Sequence, residues 1–175
     1  MNTLAIAAAA AALWSGSGNM KANAQCFEFP QLLSISSTRM ALTQPENIKQ
    51  LPASAWKLQP AAAPNQEVVW TSLMTDAAGV AYSEIRLRPL AGQSNPDVLL
   101  KTNQVSCVRQ LRSALKSQGI KPVAVTCPNC EAQRYQAPDF EATLYSGLKG
   151  AFPFLLVVHP KAVGSTAPPS VSRQP

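Results

Sequence analysis

Four cysteines set the first bound on what this chain can become. Cys26, Cys107, Cys127 and Cys130 form an even set, and the last two close the stretch VAVTCPNC at residues 123–130. Whether such a set builds a metal site, a redox centre or a covalent staple depends on the compartment the chain reaches. The N-terminus speaks to that. Leu4–Trp14 is an eleven-residue apolar run, short of the roughly 20 residues that span a bilayer but long enough for the apolar part of a secretory signal. Ala22-Asn23-Ala24 supplies a small-x-small cleavage pattern. The expectation is a signal peptide over residues 1–24, a periplasmic or secreted mature protein with no transmembrane segment, and cysteines that pair. Asn23-Ala24-Gln25 does not fit the lipobox pattern, so Cys26 is read as an ordinary cysteine near the mature N-terminus.

Loss of Lys21 with that segment lowers the formal net charge from +6 to +5, a mildly basic surface. Arg109, Arg112 and Lys116 recur at i, i+3, i+7 and would line one face of a helix, a candidate binding stripe or a merely solvated face. No aromatic residues alternate with them, as a nucleic-acid platform would require, so a nucleic-acid partner is not expected.

Residues 41–67 carry four prolines and little periodicity, which predicts a long irregular loop with at most one helical turn, pinned by Trp56. Residues 160–175 are rich in proline and serine and nearly lack large apolar side chains, the composition of a disordered tail. Between them, EVVWTSLMTD and VAYSEIRLRPL flank Ala77-Ala78-Gly79 and predict a hairpin. In its second strand Ser83, Ile85 and Leu87 alternate with Glu84, Arg86 and Arg88, giving one buried and one wet face. CFEFPQLLSIS reads as a further edge strand. After Val98–Leu100, the spacing of Val108, Leu111 and Leu115 predicts a helix over 103–118 ended by Gly119. KPVAVTC is a strand. Phe140, Leu144 and Leu148, preceded by Pro138 and followed by Gly150, predict a second helix. FPFLLVVHP reads as a strand covered on both faces. The sum is a single domain over 25–159 of α/β (or α+β) class: an N-terminal hairpin followed by β-α-β-α-β, a small mixed sheet with helices packed on it.

LYSGLKGAFPFLLVVHP, in which a helix leads to Pro153 at the start of an apolar strand, resembles the thioredoxin-like superfamily over about a third of the chain. The resemblance implies a proline facing a redox dithiol. Only 22 residues separate Cys130 from Pro153, too few for the helix, strand and helix which that family places there. The register that fits sets Cys107 at the head of the helix with Gln104 in the position of the family's first cysteine. That register implies a thioredoxin-like shape without its redox pair.

The spacing of elements leads to one further expectation. About ten residues of helix descend from Cys107 and a strand climbs back to Cys127, so helix start and strand end finish at one level. Cys107 is therefore expected to bond Cys127 or Cys130, with Cys26 taking the other. A working dithiol would instead place Cys127 at a helix N-terminus, with EAQRYQA as the helix and Arg134 in support. A zinc site would need two ligands beyond one C-x-x-C, and His159 is the sole histidine. The haem-attachment pattern fails at Glu131. No nucleotide-binding or hydrolase motif is present, and neither cofactor nor metal is expected. The reading is an exported, disulfide-stapled binding or accessory protein of a bacterial envelope, secretion or conjugation machine, partnered by another envelope protein. Its alternatives are a thiol–disulfide oxidoreductase using Cys127, Cys130 and Pro153, and a secreted inhibitor or immunity-type protein.

Overall fold

A computed structural model describes residues 26–161 apart from 39, 60–62, 64–65 and 94. The expected signal segment and the tail beyond Lys161 lie outside the described residues. The first described element is helix α1 (Phe29–Ser36), where a strand was expected. The pattern that decides it is Phe29, Leu32 and Ile35, spaced three apart and all fully buried. Gln31 Oε1 accepts the Glu28 backbone N–H at 2.8 Å, and Pro30 occupies the first turn, where a missing N–H costs nothing. The 41–67 segment holds a short 3₁₀ turn at Pro45–Asn47 and then strand β1 (Trp56–Gln59). Trp56 is buried against Phe27, with ring centroids 5.4 Å apart, and it does pin this segment to the body.

The predicted hairpin is present as β2 (Val68–Ser72) and β3 (Ser83–Arg88). Its connection turns on Asp76, whose Oδ1 accepts the N–H groups of Ala78 and Val80, and on Gly79 at φ +77°, where a side chain would be strained. Strand β4 (Asp97–Thr102) follows, then helix α2 (Val105–Ser117), ended at Gly119 as expected. The remaining strands are β5 (Val123–Val125), β6 (Glu131–Gln136), β7 (Phe140–Ser146) and β8 (Phe154–Pro160).

All eight strands form one sheet in the order β1-β2-β3-β4-β8-β7-β6-β5, and every neighbouring pair is antiparallel. Among the described residues the fold is therefore β-rich, with two short α-helices, and the expected α/β arrangement of helices on a mixed sheet is incorrect. The error lies in residues 131–150. Phe140, Leu144 and Leu148 share a helical spacing, but Phe140, Ala142 and Leu144 also alternate with Glu141, Thr143 and Tyr145, and that period of two is the one the chain obeys. EAQRYQA is likewise β6 and not a helix. Four antiparallel steps separate β4 from β5, so those two strands point the same way, and α2 carries the chain between them across three intervening strands.

The register lines up two apolar rows on one face of the sheet: Val68, Leu87, Val98, Val158, Ala142 and Tyr135, then Trp70, Ile85, Leu100, Leu156 and Leu144. All are buried in one core with Phe29, Leu32 and Ile35 of α1 and Val108, Leu111 and Leu115 of α2. Each such side chain stabilises the fold by roughly 1.5–3 kcal/mol. Phe29 meets Phe140 with ring centroids 4.9 Å apart. Pro160, expected to open the tail, is instead the buried last residue of β8, and Lys161 N–H donates to the Asp139 carbonyl at 2.8 Å. Among the described residues no helix packs on the opposite face of the sheet, so β8, expected to be covered on both faces, has a helix on one; Leu155 and Val157 are half-exposed on the other face, while Leu99 and Thr143 beside Val157 are buried.

Candidate functional site

One end of the sheet gathers the residues that the sequence singled out. The C-termini of β4, β5 and β7 and the N-termini of β6 and β8 meet there, which brings Cys107, the CPNC turn, Ser146 and Pro153 to one level. Level is not proximity. β4 and β5 are four strand spacings apart, about 19 Å, and the expected link from Cys107 into the CPNC segment does not form. Cys26 bonds Cys107, and Cys127 bonds Cys130. Helix start and strand end do share one height, but α2 also carries the chain sideways across the sheet and so separates them.

The two bridges sit in different surroundings. Cys107 is 1% exposed on the first full turn of α2, and its bond fastens the start of the described chain to that helix. Cys127 and Cys130 are half-exposed in the turn joining β5 to β6, with Pro128 and Asn129 in solvent. No helix begins at this turn, so no helix dipole faces the sulfurs. Arg134 is engaged elsewhere, with its Nε 3.2 Å from Glu141 Oε1. Pro153 lies two strands across from Cys130 at the same sheet end, about 10 Å away by strand spacing, which is not contact.

The basic stripe divides. Arg109 and Lys116 are exposed on α2. Arg112 turns onto the sheet, where its Nη2 donates to Ser146 Oγ at 2.9 Å and its charge lies near Tyr135. Burial raises the Tyr135 phenol above its ordinary pKa against the opposing pull of Arg112. The stripe is thus two solvated cations and one structural strut.

The uncovered sheet face was not legible as a unit in the sequence. Leu99, Val157 and Thr143 form one cross-strand row, and Lys101, Leu155, Tyr145, Ala132 and Val125 form the next. Ion pairs frame this strip. On the β2–β3 side Arg86 Nη1 lies 3.1 Å from Glu67 Oε2, Arg88 Nε 2.7 Å from Glu67 Oε1, and Arg86 Nε 2.6 Å from Glu84 Oε1. Burial would raise the Glu67 pKa, but hydrogen bonds from Arg88 and Arg86 outweigh it and hold the carboxyl below its ordinary range. The Arg86 guanidinium is held above its own, chiefly by Glu84. At one end of the strip, in the row next to Leu99 and Val157, His159 Nδ1 lies 2.7 Å from Asp97 Oδ1. Asp97 was missed by sequence reading because 62 residues separate it from His159. By register the flanking positions are Arg88 beside Asp97 and Glu141 beside His159, neither of them a hydroxyl or thiol nucleophile.

A cleft of about 690 Å³ opens between the end of α2 and the β6–β7 turn, with Ile120, Val123, Pro138 and Phe140 among its walls and Lys121 and Asp139 as its charged groups. Its lining mixes these apolar side chains with Gln118 and Gln136 in about equal share. Among the described residues, no helix is long and apolar enough to cross a membrane. No protein-family model matches the chain, and no characterised protein or solved structure matches it.

Proposed function

We propose that this is an exported, disulfide-braced binding protein of the bacterial envelope that presents the uncovered sheet face to another envelope protein. The observation that carries the reading is the make-up of that face. Leu155, Val157 and Tyr145 are half-exposed at its centre beside buried Leu99, Thr143 and Ala132, and charged groups paired with one another flank them. An apolar centre inside a polar rim is the anatomy of a protein–protein interface, and rim charges that are paired within the molecule resist a non-specific partner. Two disulfides agree with an oxidising compartment, and the apolar N-terminal run agrees with export. The test is photo-crosslinking in intact envelopes with a photoreactive side chain at Leu155, and at Lys116 on the exposed side of α2 as the control. The reading expects one discrete protein adduct from position 155 and none from 116. No adduct from 155, or an equal pattern from both, would refute it.

A further inference from the structure

We propose that the Cys127–Cys130 bond is a releasable clasp on the sheet edge, opened by a dithiol while the Cys26–Cys107 bond stays shut, and that opening it frees β5 from β6. Two observations carry this independently of the partner surface. The first is the contrast between the bridges. One joins half-exposed Cys26 to Cys107, which is 1% exposed, and spans 81 positions, while in the other both cysteines are half-exposed and the span is three. A thiolate must approach along the S–S axis, so either sulfur of the CPNC turn is open to attack with a solvated leaving thiolate, whereas attack on Cys26 must expel a thiolate at buried Cys107, which costs desolvation.

The second observation is how little else holds β5. It is a three-residue edge strand that pairs with β6 through Val123, Ala124 and Val125, and among the described residues no strand pairs with its outer side. Val123 is 61% exposed, and Lys121, Pro122 and Ala124 are also exposed. The disulfide closes the turn that feeds this ladder. Releasing β5 makes β6, a six-residue strand, the new sheet edge.

The step balances. One thiolate of the dithiol attacks one sulfur of the Cys127–Cys130 pair, the S–S bond breaks, and the other sulfur leaves as a thiolate that takes a proton from water. The dithiol's second thiol then attacks the mixed disulfide and expels the remaining cysteine thiolate. Two electrons and two protons pass to the protein, and the dithiol leaves as a cyclic disulfide.

The test treats the oxidised full chain with rising dithiothreitol, traps thiols with N-ethylmaleimide, and follows amide hydrogen exchange on the same samples. Alkylation at Cys127 and Cys130 is expected first, with Cys26 and Cys107 unlabelled and the remaining strands protected. Exchange across residues 121–126 should rise about 15-fold, the change expected from removing a three-residue covalent closure. A Cys127→Ser, Cys130→Ser variant should show that faster exchange without reductant. Simultaneous opening of both bridges, prior opening of Cys26–Cys107, or opening of the CPNC bond with unchanged exchange in β5 would each overturn the proposal.

Discussion

Removing the two disulfides one at a time should destabilise the protein very unequally. In the chain-entropy account a cross-link stabilises by limiting the unfolded ensemble, and the effect grows with the logarithm of the loop it closes. For the separation of 81 between Cys26 and Cys107 this gives about 4.5 kcal/mol at 25 °C, and for the separation of three between Cys127 and Cys130 about 1.6 kcal/mol. The difference, about 2.9 kcal/mol, depends only on the ratio of the loop lengths. Burial adds in the same direction, because Cys107 lies in the packed start of α2 and Cys127 does not. The assay is thermal unfolding of the oxidised protein beside a Cys26→Ala, Cys107→Ala variant and a Cys127→Ala, Cys130→Ala variant. At roughly 2–4 °C per kcal/mol for a domain near this size, Tm should fall by about 9–18 °C in the first variant and about 3–6 °C in the second. Equal losses, or a greater loss from the CPNC pair, would refute the assignment of a global brace and a local clasp.

The neighbouring positions 155 and 156 test which face of the sheet is core: Leu156→Ala, at a side chain 1% exposed, should cost about 2–5 kcal/mol, whereas Leu155→Ala on the uncovered face should cost under about 1 kcal/mol, both read by urea unfolding. Glu67 makes stability depend on pH with a definite sign. Its folded pKa lies below the ordinary 4.5, so its contribution is complete above that value and is lost as pH falls from it through the folded value. The side chain is 29% exposed, which limits the effect to under about 1 kcal/mol. A Glu67→Gln variant should accordingly lose less stability than the parent between pH 6 and pH 3.

Much of the first half was legible because its signals agree with one another. In 68–88 the alternation of Val68, Trp70, Ile85 and Leu87 with polar residues, the Gly79 turn and the register all point to one hairpin. The helix at Val105–Ser117 was equally plain, since its apolar residues follow a single period. The misreadings fall where two periods coexist. Residues 140–148 satisfy both a helical spacing and a strand alternation, because Ala142 is too small to weigh in the pattern while being fully buried in the sheet. Near the N-terminus CFEFPQLLSIS reads as an edge strand, although the spacing of Phe29, Leu32 and Ile35 is what carries the burial. Register across distant strands has no local signal at all. That is why neither the Asp97–His159 pair nor the apolar strip of the uncovered face could be seen, and why the cysteine pairing went wrong although every cysteine was identified.

The pairing of the cysteines tests the strand order directly, since it depends on β5 lying at the far edge from β4. Trypsin cuts at Arg39, Lys101, Arg109, Lys116 and Arg134, which places Cys26, Cys107 and the CPNC pair in three separate peptides. Mass mapping of the oxidised protein without reduction should recover the Cys26 and Cys107 peptides joined, and the peptide ending at Arg134 alone and lighter by two hydrogens. A peptide joining Cys107 to Cys127 or Cys130 would require β5 to lie beside the head of α2, and would contradict the sheet described above.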